Sequence, residues 1–272
     1  MQLDFFCPLW GSEQLPFEIF LANVKSAGYD GIEMSFPMDS YERNSIVTLI
    51  RNYGLKLVAQ HWETVDKDFQ THKINYKNRL LNLAATNPLF INSQTGKDYY
   101  TFEQNAELIH IAKTIENETG ITIIHETHRG KFSFAAHIAE DYFNRLPDLK
   151  ICLDISHWFC VAETLLEDQA NAVETAIQRT RHIHSRIGFT EGPQIMDPRA
   201  EENALIVDRH ITLWQKVVNN FKKNGSQRLT ITPEFGAPPY LQLMPHTRVP
   251  IYSQWDVNEY MMGLLKQKLN II

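Results

Sequence analysis

Cysteine is scarce: Cys7, Cys152 and Cys160 are the three in 272 residues. Odd in number and each set in or beside an apolar run, they read as small buried hydrophobes in a reducing compartment rather than as a disulfide framework. Long hydrophobic runs are missing too. No stretch approaches the ~20 apolar residues that span a bilayer, and the opening MQLDFF carries an early acid and no basic leader segment. A soluble, cytoplasmic protein is expected, with no membrane partner. Basic charge is in deficit, 26 Lys and Arg against 32 Asp and Glu for a formal net charge of -6, so no cationic footprint for a polyanion exists and nucleic acid is disfavoured as a partner. No Gly-rich phosphate loop follows an early strand, which removes the usual signature of an open nucleotide-binding sheet. Low-complexity segments, tandem repeats and charged tails are also lacking.

What is present is an alternation. LDFFCPLW reads as a first strand and LPFEIFLANVKSAGY as its helix, stopped at Gly28. DGIEMSF is strand two with a helix over Ser40 to Tyr53; LKLVAQHW is strand three with a helix over about Asn75 to Ala85. Pro88 precedes strand four, LFINSQ, and a helix over Phe102 to Glu118 ends at Gly120. ITIIHET is strand five with a helix near Phe134 to Leu146, ICLDISH strand six with a helix from about Glu163 to Arg179, and HIHSRI strand seven. RLTITPEF, strand eight, leads to a last helix over about Gln254 to Lys268. Eight such units in a chain near the typical ~250 residues argue for a single (β/α)8 TIM barrel domain over residues 1–272. Two long connections, GFTEGPQIMDPRAEENA and GAPPYLQLMPHTRVPIYS, are expected to wall the mouth with Arg199, Tyr240 and His246.

Four runs end alike. IIHETHRG, KICLDISHW, RHIHSRIG and LTITPEFG each lead from apolar strand into a potential ligand: Glu126, Asp154, His184 and Glu234. A carboxylate at a buried strand end is costly without a partner, so four that converge need a common explanation. Three carboxylates and an imidazole suit one divalent ion, Mn²⁺, Mg²⁺, Co²⁺ or Zn²⁺. In a barrel of this kind the active site lies at the C-terminal ends of the strands, where all four fall.

On these motifs the chain resembles the xylose isomerase-like barrel superfamily, which includes ketose 3-epimerases, inosose dehydratase and apurinic endonucleases. The resemblance covers the strand and helix order of nearly the whole chain, with its sharp motifs in residues 125 to 236. It implies that Glu126, Asp154, His184 and Glu234 bind the ion. It further implies that His157, three residues after the Asp, and Arg186 hold substrate, although Arg186 stands closer to His184 than the epimerase pattern has it. The implied activity is isomerisation or epimerisation of a ketose or related hydroxy-carbonyl compound through an enediolate, with Glu126 and Glu234 as the paired acid and base. The same groups would serve a lyase or dehydratase acting on a keto-sugar or inosose. A barrel that only binds a sugar is a rival from another class, opposed by the retention of both glutamates. An apurinic endonuclease is the weakest rival, because strand four offers no partner imidazole for a second metal.

Other polar strand ends are candidates for contacts to a small carbohydrate substrate. Glu33 ends strand two and either meets a hydroxyl or pairs with a core cation; His61 follows strand three. Trp10, Trp62 and Trp158 follow strands one, three and six and are expected to stack on sugar faces. Arg199 and Arg129 lie in mouth-side loops with the geometry to recognise phosphate or carboxylate. His125 points away from the mouth by strand alternation. Asp208 and His210 resemble an endonuclease metal pair, but their position at the start of a helical pattern favours a helix-start role. Whether copies of the chain assemble into a homo-oligomer is left open.

Overall fold

Parallel strands cannot be joined by tight turns, so each must be followed by a crossover, and that requirement shapes the chain. The computed structural model describes residues 1–271. Strands β1 (Gln2–Pro8), β2 (Gly31–Met34), β3 (Lys56–His61), β4 (Ile91–Ser93), β5 (Ile123–Glu126), β6 (Ile151–Leu153), β7 (Thr180–His184) and β8 (Arg228–Thr232) pair in chain order and close into a barrel. The seam joins β1 to β8 in parallel, with Leu3 opposite Leu229 and Asp4 opposite Thr230. Asp4 is wholly buried there and pairs with Lys56 Nζ at 2.6 Å and Arg228 Nε at 3.0 Å. One carboxylate thus ties three strands at the end away from the mouth.

The outer layer comprises α1 (Phe17–Ala27), α2 (Ser40–Asn52), α3 (Phe69–Ala84), α4 (Phe102–Thr119), α5 (Ala136–Arg145), α6 (Ser156–Ala162), α7 (Ala170–Arg179), α8 (Ala204–Lys223) and α9 (Gln254–Lys268). Their ends are written in the sequence. Asp39 caps α2 through the Glu42 amide, Thr101 and Gln104 form a reciprocal capping box on α4, and Gly28 and Gly120 stop α1 and α4 in the left-handed region. Helix α8 buries Val207, Leu213, Trp214, Val217 and Phe221 on one face; full burial of each such aliphatic or Phe side chain contributes ~1.5–3 kcal/mol.

Two helices depart from expectation. Helix α3 starts at Phe69, not near Asn75, because Asp68 accepts from the Thr71 amide at 2.8 Å and so fixes an earlier first turn. The helix expected over Glu163 to Arg179 forms only from Ala170, as α7; an unexpected helix, α6, begins at Ser156, directly behind Asp154, and ends at Glu163, which takes φ 54. That early start places His157 in the first turn of α6. No helix among the described residues is long and apolar enough to cross a membrane.

The two-residue period of a strand sorts side chains between the barrel interior and the helices. On β7 it sends His182 and His184 inward. The His182 ring meets Phe6 and Phe90, with ring centres 6.4 and 5.2 Å away, so the polar mouth rests on an aromatic floor. On β5 it sends Glu126 inward and turns His125 out to Thr95 and Phe132, as alternation requires.

Candidate metal centre

Glu126 closes β5, Asp154 follows β6, His184 closes β7 and Glu234 stands two residues past β8. The structure brings one ligand atom from each to within 4.8 Å of the others, and all four side chains are buried. The imidazole is the informative member. Its Nε2 lies 3.0 Å from Glu33 Oε1, while its buried Nδ1 has no hydrogen-bond partner of acceptable geometry. That Nδ1 sits 3.0 Å from Glu234 Oε2 and 3.8 Å from Glu126 Oε1. An unpartnered ring nitrogen facing carboxylate oxygens is an arrangement that a shared divalent cation satisfies, and the donor set suits a hard or borderline ion. The residues present fit the group. Two trios, Cys152–His182–His184 and Glu126–His128–His157, bring ligand atoms as close, and each shares a residue with the four.

The electrostatics separate the two glutamates. Burial pushes the Glu126 carboxyl up to about 8, and the charges of Glu234, Asp154 and Glu33 add to the rise, with His184 in opposition. Burial acts the same way on Glu234, but His184 and Arg186 outweigh it and hold that carboxyl below its ordinary value. Glutamates in one pocket with divergent proton affinities are the usual basis of an acid and base pair.

Glu33 borders the cavity, yet its oxygens are already engaged. They accept from Thr232 Oγ1 at 2.5 Å and Asn92 Nδ2 at 2.9 Å, and lie 3.2 Å from His182 Nε2. Its place is beneath His184, fixing the ring from the far side. Asn92, on the strand whose end offered no imidazole, donates to Glu126 Oε2 at 3.2 Å as well as to Glu33. Gln60 and Gln94 donate to Glu234 Oε1 and Glu126 Oε1, each at 3.3 Å. These amides are inward strand or strand-end residues, so alternation was the signal by which the sequence could have named them.

On the β6 side, His157 and Arg186 are fully buried against Asp154. Arg186 Nη2 bonds Asp154 Oδ2 and lies 2.8 Å from His157 Nε2, and the His157 ring packs on His128 with centres 4.0 Å apart. His128 lines the cavity and was not singled out from sequence, although it stands two residues after Glu126.

Above the floor opens a cavity of about 480 Å³ walled by Leu9, Trp10, Met34, Trp62 and Tyr240. Trp10 meets Tyr240 edge-on at 5.3 Å. A Cβ on Gly236 would lie 2.1 Å from the Trp10 indole, so glycine is what lets that ring occupy its place.

Several expected contacts are not brought to the cavity. Alternation turns His61 outward, where its ring nitrogens meet Ser93 and Thr64 and its face meets Tyr76. Arg199 is held on the surface by Asp197, with Nη2 at 2.8 Å, and neither it nor the exposed His246 lines the cavity. Of the two long loops, Tyr240 makes the wall. Trp158 is core, its indole donating to the Ser133 carbonyl at 2.7 Å. His210 lies under the loop after β7, bonded to the Gly188 amide and the Ile206 carbonyl, and with Asp208 it stands in the second turn of α8 rather than at the helix start, which is Ala204. Arg129 is not among the residues lining the cavity, and it stacks over the Tyr240 ring at 5.2 Å.

Comparison with known proteins agrees with the architecture. No curated protein matches the sequence. Among solved structures, D-allulose 3-epimerase from Methylomonas sp., in complex with D-allulose, is 16% identical, with 98% of this chain and 97% of that chain covered at a TM-score of 0.62. The 3-keto-D-glucoside 4-epimerase YcjR from E. coli is 13% identical over 98% and 100%, TM-score 0.61. The probable 3-DHS dehydratase AsbF from Bacillus anthracis is 16% identical over 97% and 99%, TM-score 0.60. At such identities the likeness speaks for the fold. The model of the xylose isomerase-like TIM barrel family matches residues 21–212, and with the closed eight-stranded barrel that match shows that the chain belongs to this family.

Proposed function

We propose that the protein is a divalent-metal-dependent isomerase or epimerase acting on a ketose or a related hydroxy-carbonyl compound. The observation that carries this reading is the convergence of Glu126, Asp154, His184 and Glu234 on the floor of the cavity, with His184 Nδ1 unpartnered among their oxygens. These four would hold the ion. Bound there, a divalent ion supplies Lewis acidity, offsetting the negative charge that develops on a substrate carbonyl when the neighbouring carbon loses its proton.

The protein's own groups supply the rest. Glu126 and Glu234 flank His184, so one carboxylate can take a proton from a substrate carbon and the other return one from another side, which inverts that carbon. Return to the adjacent carbon gives aldose–ketose isomerisation. Gln60 and Gln94 fix the oxygens of the two glutamates, and Trp10, Trp62 and Tyr240 offer apolar faces to a sugar ring.

The test incubates the purified protein with Mn²⁺ and a panel of ketoses and keto-glycosides in deuterated water. Exchange at the carbon beside the carbonyl is expected, dependent on the ion and without loss of substrate atoms. Loss of water or of an aglycone would assign the site to a lyase instead. No exchange with any member of the panel, in protein shown to hold its ion, overturns the reading.

A further inference from the structure

Arg186 is among the largest fully buried side chains in the molecule. It comes from the residue two past His184 and folds back across the cavity floor. Its Nη2 donates to Asp154 Oδ2 and lies 3.7 Å from Glu234 Oε2, and its Nε donates to Ser156 Oγ at 3.2 Å. The guanidinium rests on the Tyr240 ring, 4.7 Å from its centre. Asp154 Oδ1 is taken by the Ser156 amide at 3.1 Å and hydroxyl at 2.5 Å. Both oxygens of this candidate ligand therefore already serve donors, one of them a full positive charge.

That charge is permanent, because a guanidinium does not lose its proton in a protein. Against it lie Asp154 and Glu234, two buried acidic side chains that need a counter-charge. A divalent ion on Asp154 would sit within a few ångströms of the guanidinium, and like charges that close in a dry site repel strongly. We infer that Arg186 is a rival cation for Asp154. It keeps that carboxylate in place before an ion arrives and lowers the affinity of the centre for the ion, which makes the ion exchangeable. The inference rests on the metal-centre reading above and adds to it the residue that sets how tightly the ion is held.

Calorimetric titration of wild type, Arg186→Met and Arg186→Lys with Mn²⁺ tests it. The Met variant is expected to bind Mn²⁺ about tenfold tighter or more, the scale of relief from one close like charge. Its metal-free melting temperature should fall, and its gain on adding Mn²⁺ should exceed that of wild type. The Lys variant keeps the charge and should return affinity towards the wild-type value. If the Met variant folds only with the ion, it is refolded with Mn²⁺ and its affinity read by competition with a chelator, with the same expectation. Equal or weaker binding by the Met variant overturns the proposal, since Arg186 would then merely orient Asp154. A Lys variant binding as tightly as the Met variant also overturns it. Wild type that binds no divalent ion overturns the metal-centre reading itself, an outcome distinct from the other two.

Discussion

Glu33 holds His184 from beneath. The carboxylate of β2 meets Nε2 at 3.0 Å, so Nδ1 is the edge presented to Glu126 and Glu234. A ligating imidazole fixed through its other nitrogen is both oriented and made a better donor. Glu33→Gln keeps the shape and removes the charge, and metal affinity is expected to fall about 10–100-fold with little change in fold. Calorimetry with Mn²⁺ checks this; unchanged affinity would remove Glu33 from the centre.

The two glutamates are asked to hold an ion and to move a proton. Glu→Gln at 126 or 234 leaves one oxygen ligand and removes the base, so turnover should fall ~10²-fold or more while metal content falls only partly. Asp154→Asn, by contrast, should lose metal and activity together. Metal analysis alongside single-turnover deuterium exchange separates the cases, and Gln variants with near-wild-type turnover would mean that other groups transfer the proton.

Gly236 and Trp10 make a second pair of dependent residues. A methyl group at 236 would occupy space 2.1 Å from the indole, so Gly236→Ala should displace Trp10 and cost about 1–3 kcal/mol of stability, the usual penalty of overpacking. Chemical denaturation and Trp fluorescence report both effects. A variant equal to wild type in both would show that the wall yields freely.

Acid should destabilise the fold through its buried neutral histidines. Burial pushes the His125 and His210 rings down to about 4 each, against the 6.5 of an exposed ring. Between pH 6.5 and 4 the unfolded chain therefore binds protons that the folded chain refuses, and stability drops as pH falls, by about 3 kcal/mol for each such group. His210→Asn should flatten this slope in thermal melts over that range, whatever its effect on stability at neutral pH. A parallel slope would show that His210 does not titrate on unfolding.

Much of this was legible from sequence because period and punctuation are local. The strand–helix alternation, the stops at Gly28 and Gly120 and the four strand ends required no knowledge of distant residues. Alternation read consistently would also have placed His61, since the rule that turns His125 outward turns His61 outward and Gln60 inward. Helix α6 was not legible: seven residues are too few to display a helical period. Arg199 was captured by Asp197, two positions upstream, and a local ion pair of that sort leaves no hydrophobic pattern. Asn92 and Glu33 were undervalued for a different reason. Their partners lie 34 to 199 residues away in sequence, and nothing near them names those partners.

Those separations bear on how the molecule assembles. Every candidate ligand comes from the second half of the barrel, β5 to β8 and the residues just past them, whereas Glu33, Gln60, Asn92 and Gln94, which aim His184, Glu234 and Glu126, come from the first. A half-barrel fragment bearing β5 to β8 would own the whole ligand set and keep Ser156 and Arg186 on Asp154, but it would lack the groups that point the other three. The bond from Thr232 to Glu33 spans 199 residues and the contact from His184 to Glu33 spans 151, and closures of that span come at high entropic cost and tend to form late. During refolding, competence to capture an ion should therefore trail the recovery of helical signal, arriving only when the ring shuts and β8 reaches β1.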